Sequence, residues 1–167
     1  ESDGTIDDYS PQSTLALNCD WDHVDRYTSP QSFSDTLQSL FSRTKGEVIV
    51  PQGSQIEEWT STIAYAQVNS FSCPVDPADF LSFNAQAAIA AGNAMGADLS
   101  QVDFSEFPGI KRRQSVLHQG PNRSIIEDYA HHPTEINALL SNRRSSLPEH
   151  SLQVVFQPHR FTRTHAL

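Results

Sequence analysis

Residues 128–135 read D-Y-A-H-H-P-T-E, which puts a carboxylate, a phenol, two imidazoles and a second carboxylate within eight positions. A second polar stretch, residues 157–164, reads Q-P-H-R-F-T-R-T and adds an imidazole, His159, and two guanidiniums, Arg160 and Arg163. Guanidinium forks match the oxygens of a carboxylate or a phosphate, so the two stretches together suit recognition of an anionic group. On a helical first turn Arg160 and Arg163 share one face.

The flanking residues suggest how these groups are positioned. Ser124, Ile125, Ile126 and Glu127 read as a strand ending at Asp128, and residues 134–140 read as a helix with Ile136, Leu139 and Leu140 on one face. Pro133 between them suits a first helical position, because it has no N–H to lose and its φ is fixed. Residues 152–156, L-Q-V-V-F, form a second apolar strand candidate that also leads into a polar loop. A right-handed crossover through the intervening helix would make the two strands parallel neighbours, with both loops on the carboxyl edge of a sheet, where ligands bind in open α/β folds. Two adjacent histidines and a tyrosine in a loop also describe a solvated turn. The repeated layout, strand then His/Arg loop, is what argues for a site.

Earlier in the chain, residues 13–18 are a strand candidate ending at Asn18, and His23 follows on a loop among Asp20, Asp22 and Asp25. Carboxylates with one imidazole could hold Mg2+ or Mn2+, and could equally be a solvated acidic turn. Phe33, Leu37, Leu40 and Phe41 have the spacing of a core-facing helix, and residues 47–51 read as a short strand. Residues 52–77 have a weak pattern. The Ala-rich run 85–95 is a helix by propensity, with Gly96 placed to end it. Gly109 allows a sharp bend in an interdomain linker over residues 107–113, and Lys111, Arg112 and Arg113 after it are on their own a solvated cationic run.

The chain has 167 residues, enough for one domain or parts of two, and its hydrophobic fraction of 37% is within reach of a globular protein. A formal net charge of −9 disfavours a nucleic-acid or acidic-membrane partner. No apolar run approaches the roughly 18 residues of a membrane-spanning helix. Cys19 and Cys73 allow one disulfide, but two free thiols in a reducing, cytoplasmic setting fit better.

Four segments, in order, resemble the Mur ligase family: N-C-D-W-D-H-V-D at 18–25, F-P-G-I-K-R-R at 107–113, and the two stretches at 128–135 and 157–164. The resemblance implies an α/β fold, with residues 1–110 part of an ATP-binding central domain and residues 111–167 part of a Rossmann-like C-terminal domain. The opening E-S-D-G is similar to a segment inside the family's ATP-binding domain, and no G-x-x-x-x-G-K-[ST] phosphate loop occurs in the chain, so it reads as an internal fragment. His23 matches the family's second-metal ligand, Asn84 one of two asparagines that approach the adenine, Arg113 an arginine that reaches the nucleotide, and Asp128 an acid near the ribose. Leu81 and Ala78 depart from the family pattern around Asn84, as does Gln114 after Arg113. Tyr129, His131, His159, Arg160 and Arg163 match positions around the amino acid and the reacting carboxylate.

The implied activity is ATP-dependent amide formation in peptidoglycan precursor synthesis, with ATP and Mg2+ as cofactors. ATP phosphorylates the lactyl carboxylate of UDP-N-acetylmuramate, and the amine of L-alanine displaces the phosphate. A related ligase that recycles a tripeptide onto the same nucleotide sugar shares the D-x-A-H-H-P segment but typically lacks Q-P-H-R-F-T-R-T. A nucleotide-binding module without catalysis is the alternative from another class.

Overall fold

The computed structural model describes residues 3–74, 79–99 and 101–158. Packing divides the described residues into two units, on either side of residue 100.

The first unit is built on one strand. β2 (Glu47–Pro51) lies between β1 (Ser13–Leu15) and β3 (Gln67–Phe71), and both pairings are parallel, with Thr14 opposite Val48 and Val48 opposite Val68. A parallel strand covered on both faces must be apolar throughout rather than alternating. β2 is: Val48, Ile49, Val50 and Pro51 are all buried. Alternate side chains then serve two cores. Val48 and Val50 pack with Ala16, Phe41 and Ile56, joined by Leu37 and Trp59 from α1 (Pro30–Arg43) and α2 (Gln55–Trp59). Ile49 packs on the opposite side with Phe71 and Ala87, joined by Phe83, Ala90 and Ala94 of α3 (Phe80–Ala94).

Local chemistry sets the helix ends. Ser29 caps α1, accepting from Ser32 N at 3.1 Å while the Ser32 hydroxyl accepts from Ser29 N, and Pro30 opens the helix. At its other end Thr44, buried, hydrogen-bonds Leu40 O and the Thr14 hydroxyl, tying α1 to β1. Asp79 caps α3, which therefore starts earlier than the Ala-rich run indicated. Gly96 stops it with φ +80°: Gly96 N donates to Asn93 O and Ala97 N to Gly92 O, the paired bonds of a Schellman ending. The strands at 13–18 and 47–51 and the helix through 33–41 are present, the first shortened to three residues. The weakly patterned region 52–77 contains α2 and β3.

The second unit has a two-stranded antiparallel ladder, β4 (Ser115–Gln119) with β5 (Ser124–Glu127), and the helix α4 (Pro133–Ser146). The register shifts at a bulge between Val116 and His118. The expected strand at 152–156 is not formed. A strand exists only as half of a ladder, and the hydrogen-bonded partner of β5 is β4. Leu152 and Val154 instead line a shallow groove with Leu140, Ser141, Arg144 and Ser145 of α4, and Val155 is fully exposed. The parallel pairing of two strand–loop units is therefore absent among the described residues.

Cys19 and Cys73 are unbridged. Burial, with the Asp20 charge adding to it, pushes the Cys19 thiol up to about 11, whereas Cys73 is exposed. A thiol reagent at pH 7.5 should label one cysteine of the folded chain rapidly and the second only on denaturation, because the thiolate is the reactive form. Mass mapping that found Cys19 modified first would contradict this. Phe41 is 1% exposed and contacts the core that β2 creates. Phe41→Ala should cost about 3–5 kcal/mol of unfolding free energy in urea titrations.

Candidate functional site

The loop from β5 to α4 holds the first site-forming group of residues, all within the second unit. Every helix begins with N–H groups that have no partner inside it. At α4 two side chains supply acceptors. His132 is the N-cap and its Nδ1 accepts from Thr134 N at 3.3 Å. Glu135, one turn in, reaches back so that Oε2 accepts from His131 N at 3.0 Å and His132 N at 3.2 Å. This is a capping box with histidine in the place usually taken by serine or threonine.

Asp128 fastens the other side of the loop. One carboxylate oxygen accepts from Ala130 N at 2.7 Å and the other from Gln114 N at 2.9 Å. Gln114 has φ +51°, in the left-handed region, just before β4, so the Asp128 bond holds a backbone conformation that a glutamine rarely takes. Each oxygen keeps a second lone pair for a ligand hydroxyl.

Between these two anchors the side chains stack. The Tyr129 ring meets the His131 ring edge-on, with centroids 5.3 Å apart. Arg112 lies over Tyr129 at 5.0 Å and Arg113 at 5.8 Å, within the range of cation–π attraction. Each arginine also faces an acid: Arg112 Nε is 3.3 Å from Glu127, and Arg113 Nη1 is 3.9 Å from Glu135. Both pairs are partly exposed and therefore weak, so a phosphate or carboxylate could take either guanidinium at low cost. The Glu135 carboxyl is held below its ordinary value. Burial alone would raise it, but the N–H groups of His131 and His132 and the charges of His131 and Arg113 outweigh burial.

The structure thus brings together Arg113, Asp128, Tyr129 and His131 of the expected residues. Two further participants, Glu135 and Arg112, lie within the motifs but are given no site role by the sequence. Glu135 could have been found from its place three residues after a helix N-cap. Arg112 had no signal beyond its place in a cationic run.

The remaining expected residues lie elsewhere or outside the described set. His23 is in the first unit, half-buried in the loop after β1, with φ +52°. Its N–H donates to Asp22 Oδ1 at 2.6 Å, its carbonyl accepts from Arg26 and Tyr27, and its Nε2 is 4.0 Å from Asp22 Oδ2. Among the described residues no three His, Cys, Asp or Glu side chains converge as a metal site, so the His23–Asp22 pair does not by itself fit a Mg2+ centre. Asn84 is exposed on α3. His159, Arg160 and Arg163 lie outside the described residues.

No family model matches the chain. Curated proteins do match it. Over 99% of its length it is 27% identical to the UDP-N-acetylmuramate–L-alanine ligase of Renibacterium salmoninarum, and over 95% it is 30% identical to that of Streptococcus agalactiae. Half of the chain is 41% identical to the corresponding ligase of Roseiflexus castenholzii. Among solved structures, a UDP-N-acetylmuramate–alanine ligase of Thermotoga maritima superposes with a TM-score of 0.67 at 24% identity, over 95% of this chain and 44% of that one. A murein peptide ligase of Psychrobacter arcticus superposes at 0.66 and 18%, over 93% of this chain and 39% of that one. The chain spans 44% of the length of the Renibacterium relative. The end-to-end similarity to these ligases, carried on an α/β fold that they share, establishes that this chain belongs to the Mur ligase family.

Proposed function

We propose that the chain is part of an ATP-dependent ligase that joins L-alanine to UDP-N-acetylmuramate through an acyl phosphate. The observation that carries this reading is similarity over 95–99% of the chain to proteins of that name. The Arg113, Asp128, Tyr129 and His131 cluster supports it, because the β4–β5 hairpin brings a cation from before β4 against the hydrogen-bonding groups and imidazole of the loop before α4.

The reaction brings a phosphoryl group to a carboxylate and then an amine to the acyl phosphate. Both steps gather negative charge, which fixed cations and oriented donors must offset. Arg113 would meet phosphate oxygens, leaving its weak pairing with Glu135. Asp128 would accept from a ribose hydroxyl through the lone pairs not used by Gln114 and Ala130. Tyr129 and His131 would border the amine and carboxylate, with His159, Arg160 and Arg163 completing that end. Asn84 would approach the adenine. His23 would contribute to Mg2+ only with donors from beyond the described residues. Cytoplasmic location follows from the substrates. No helix among the described residues is long and apolar enough to cross a membrane.

A second reading, a ligase recycling a murein peptide, has the Psychrobacter neighbour in its favour. The Q-P-H-R-F-T-R-T stretch at 157–164 favours the first.

Purified residues 1–167, which contain no phosphate loop, should release no phosphate in response to alanine above a His23→Ala control. Turnover by the wild-type 167 residues would overturn that expectation. In a longer protein carrying this chain, Arg163→Ala should raise the KM for L-alanine far more than that for ATP. Arg163→Lys should restore it only in part, since an ammonium lacks the planar fork. An unchanged alanine KM would remove Arg163 from that role. Ligation of a tripeptide in preference to alanine would select the second reading.

A further inference from the structure

Glu135 links the two histidines of the loop to Arg113. Its Oε2 accepts the two backbone N–H groups of His131 and His132 and lies 3.6 Å from His131 Nδ1, while Oε1 faces Arg113 at 3.9 Å. The His131 ring also bonds through Nδ1 to Tyr129 O at 2.9 Å. A carbonyl oxygen only accepts, so this bond puts a proton on Nδ1, and Nε2 is the acceptor whenever the ring is neutral. Tyr129, whose carbonyl orients that ring, is itself covered by Arg112 and Arg113.

A glutamate at this helix position needs no charge to act as a cap, and glutamine caps in the same way. Two of the four contacts of Glu135 are of that kind. The other two, to the His131 ring and to the Arg113 guanidinium, depend on the negative charge. We propose that Glu135 is a positioning residue of the reacting end: its charge reinforces the Nδ1–H form of His131 that the Tyr129 carbonyl selects and keeps the Arg113 guanidinium beside it. Nε2 is thereby presented as a hydrogen-bond acceptor to an amine while Arg113 stands ready for an anion. This rests on the ligase reading above. The contact to Arg113 is long and partly exposed, so it steers the guanidinium without locking it away from a phosphate.

Glu135→Gln, Glu135→Ala, Arg113→Ala and the double variant with Glu135→Gln, made in the full-length protein carrying this chain, test the idea. Glu135→Gln should keep the thermal midpoint and the KM for UDP-N-acetylmuramate but lower kcat by roughly a hundredfold, the scale for a reacting group displaced by about an ångström. Glu135→Ala should lose the thermal midpoint as well, because the cap goes with the charge. The penalties of Arg113→Ala and Glu135→Gln should be less than additive, since the two side chains share one interaction. Long-range imidazole nitrogen spectra should show Nδ1–H for His131 in the wild type and a mixture of tautomers in Glu135→Gln. Wild-type turnover in Glu135→Gln, additive penalties, or an unchanged tautomer would each overturn the proposal and leave Glu135 a simple cap. If the wild-type protein itself showed no alanine-dependent phosphate release, the ligase reading would fall, and the His131 spectra of the two proteins would still decide the role of Glu135.

Discussion

The backbone N–H groups left over where a strand runs into a helix govern this chain. No helix can pair its own first N–H groups, and each junction here supplies an acceptor from a side chain. Ser29 serves α1 and Asp79 serves α3. At α2, Ser54 accepts from Glu57 N while Glu57 reaches back to Gly53 N at 2.6 Å. At α4, His132 and Glu135 repeat that arrangement. The same hard requirement thus recurs four times, and in two of the four a glutamate at the third helical position meets it.

What differs is the use to which the glutamate is put. Glu57 also accepts from Ser70 on the adjoining β3, so its second oxygen strengthens the junction of α2 with the sheet. The hydrogen bonds from Ser70 and Gly53 hold its carboxyl below the usual range. Glu135 turns its spare capacity toward an imidazole and a guanidinium. A structural necessity at the start of α4 is therefore also the means by which the His/Tyr loop is organised. Asp128 makes the same point from the strand side, since its two oxygens join the loop to the entry of β4.

The two units contrast in how they satisfy their apolar groups. In the first, β2 is buried on both faces and divides its side chains between two cores. In the second, Val116, Leu117, Ile125 and Val155 are exposed, and α4 has no buried residue. The loop cluster is held instead by hydrogen bonds, ion pairs and ring contacts, which fix directions well even where little apolar area is covered.

The amino-acid order alone determined the local parts. The apolar run at 47–51, the helical stripe through Phe41, the Ala-rich helix with its glycine stop, and the strand–Pro–helix junction at 124–140 were all legible, because propensity, capping and periodicity act over a few neighbours. Tyr129, His131 and Asp128 could be singled out because their types are concentrated in one short stretch. Tertiary structure decided the rest. Residues 152–156 have the pattern of a strand, yet pairing depends on which edge is available, and β5 pairs with β4, whose polar-ended sequence gave little warning. The contacts of Arg112 and Arg113 with Tyr129, and of Arg113 with Glu135, join residues 16 to 22 positions apart along the chain through the fold of the β4–β5 hairpin. Such contacts follow from register and from the left-handed turn at Gln114, and no local pattern encodes them.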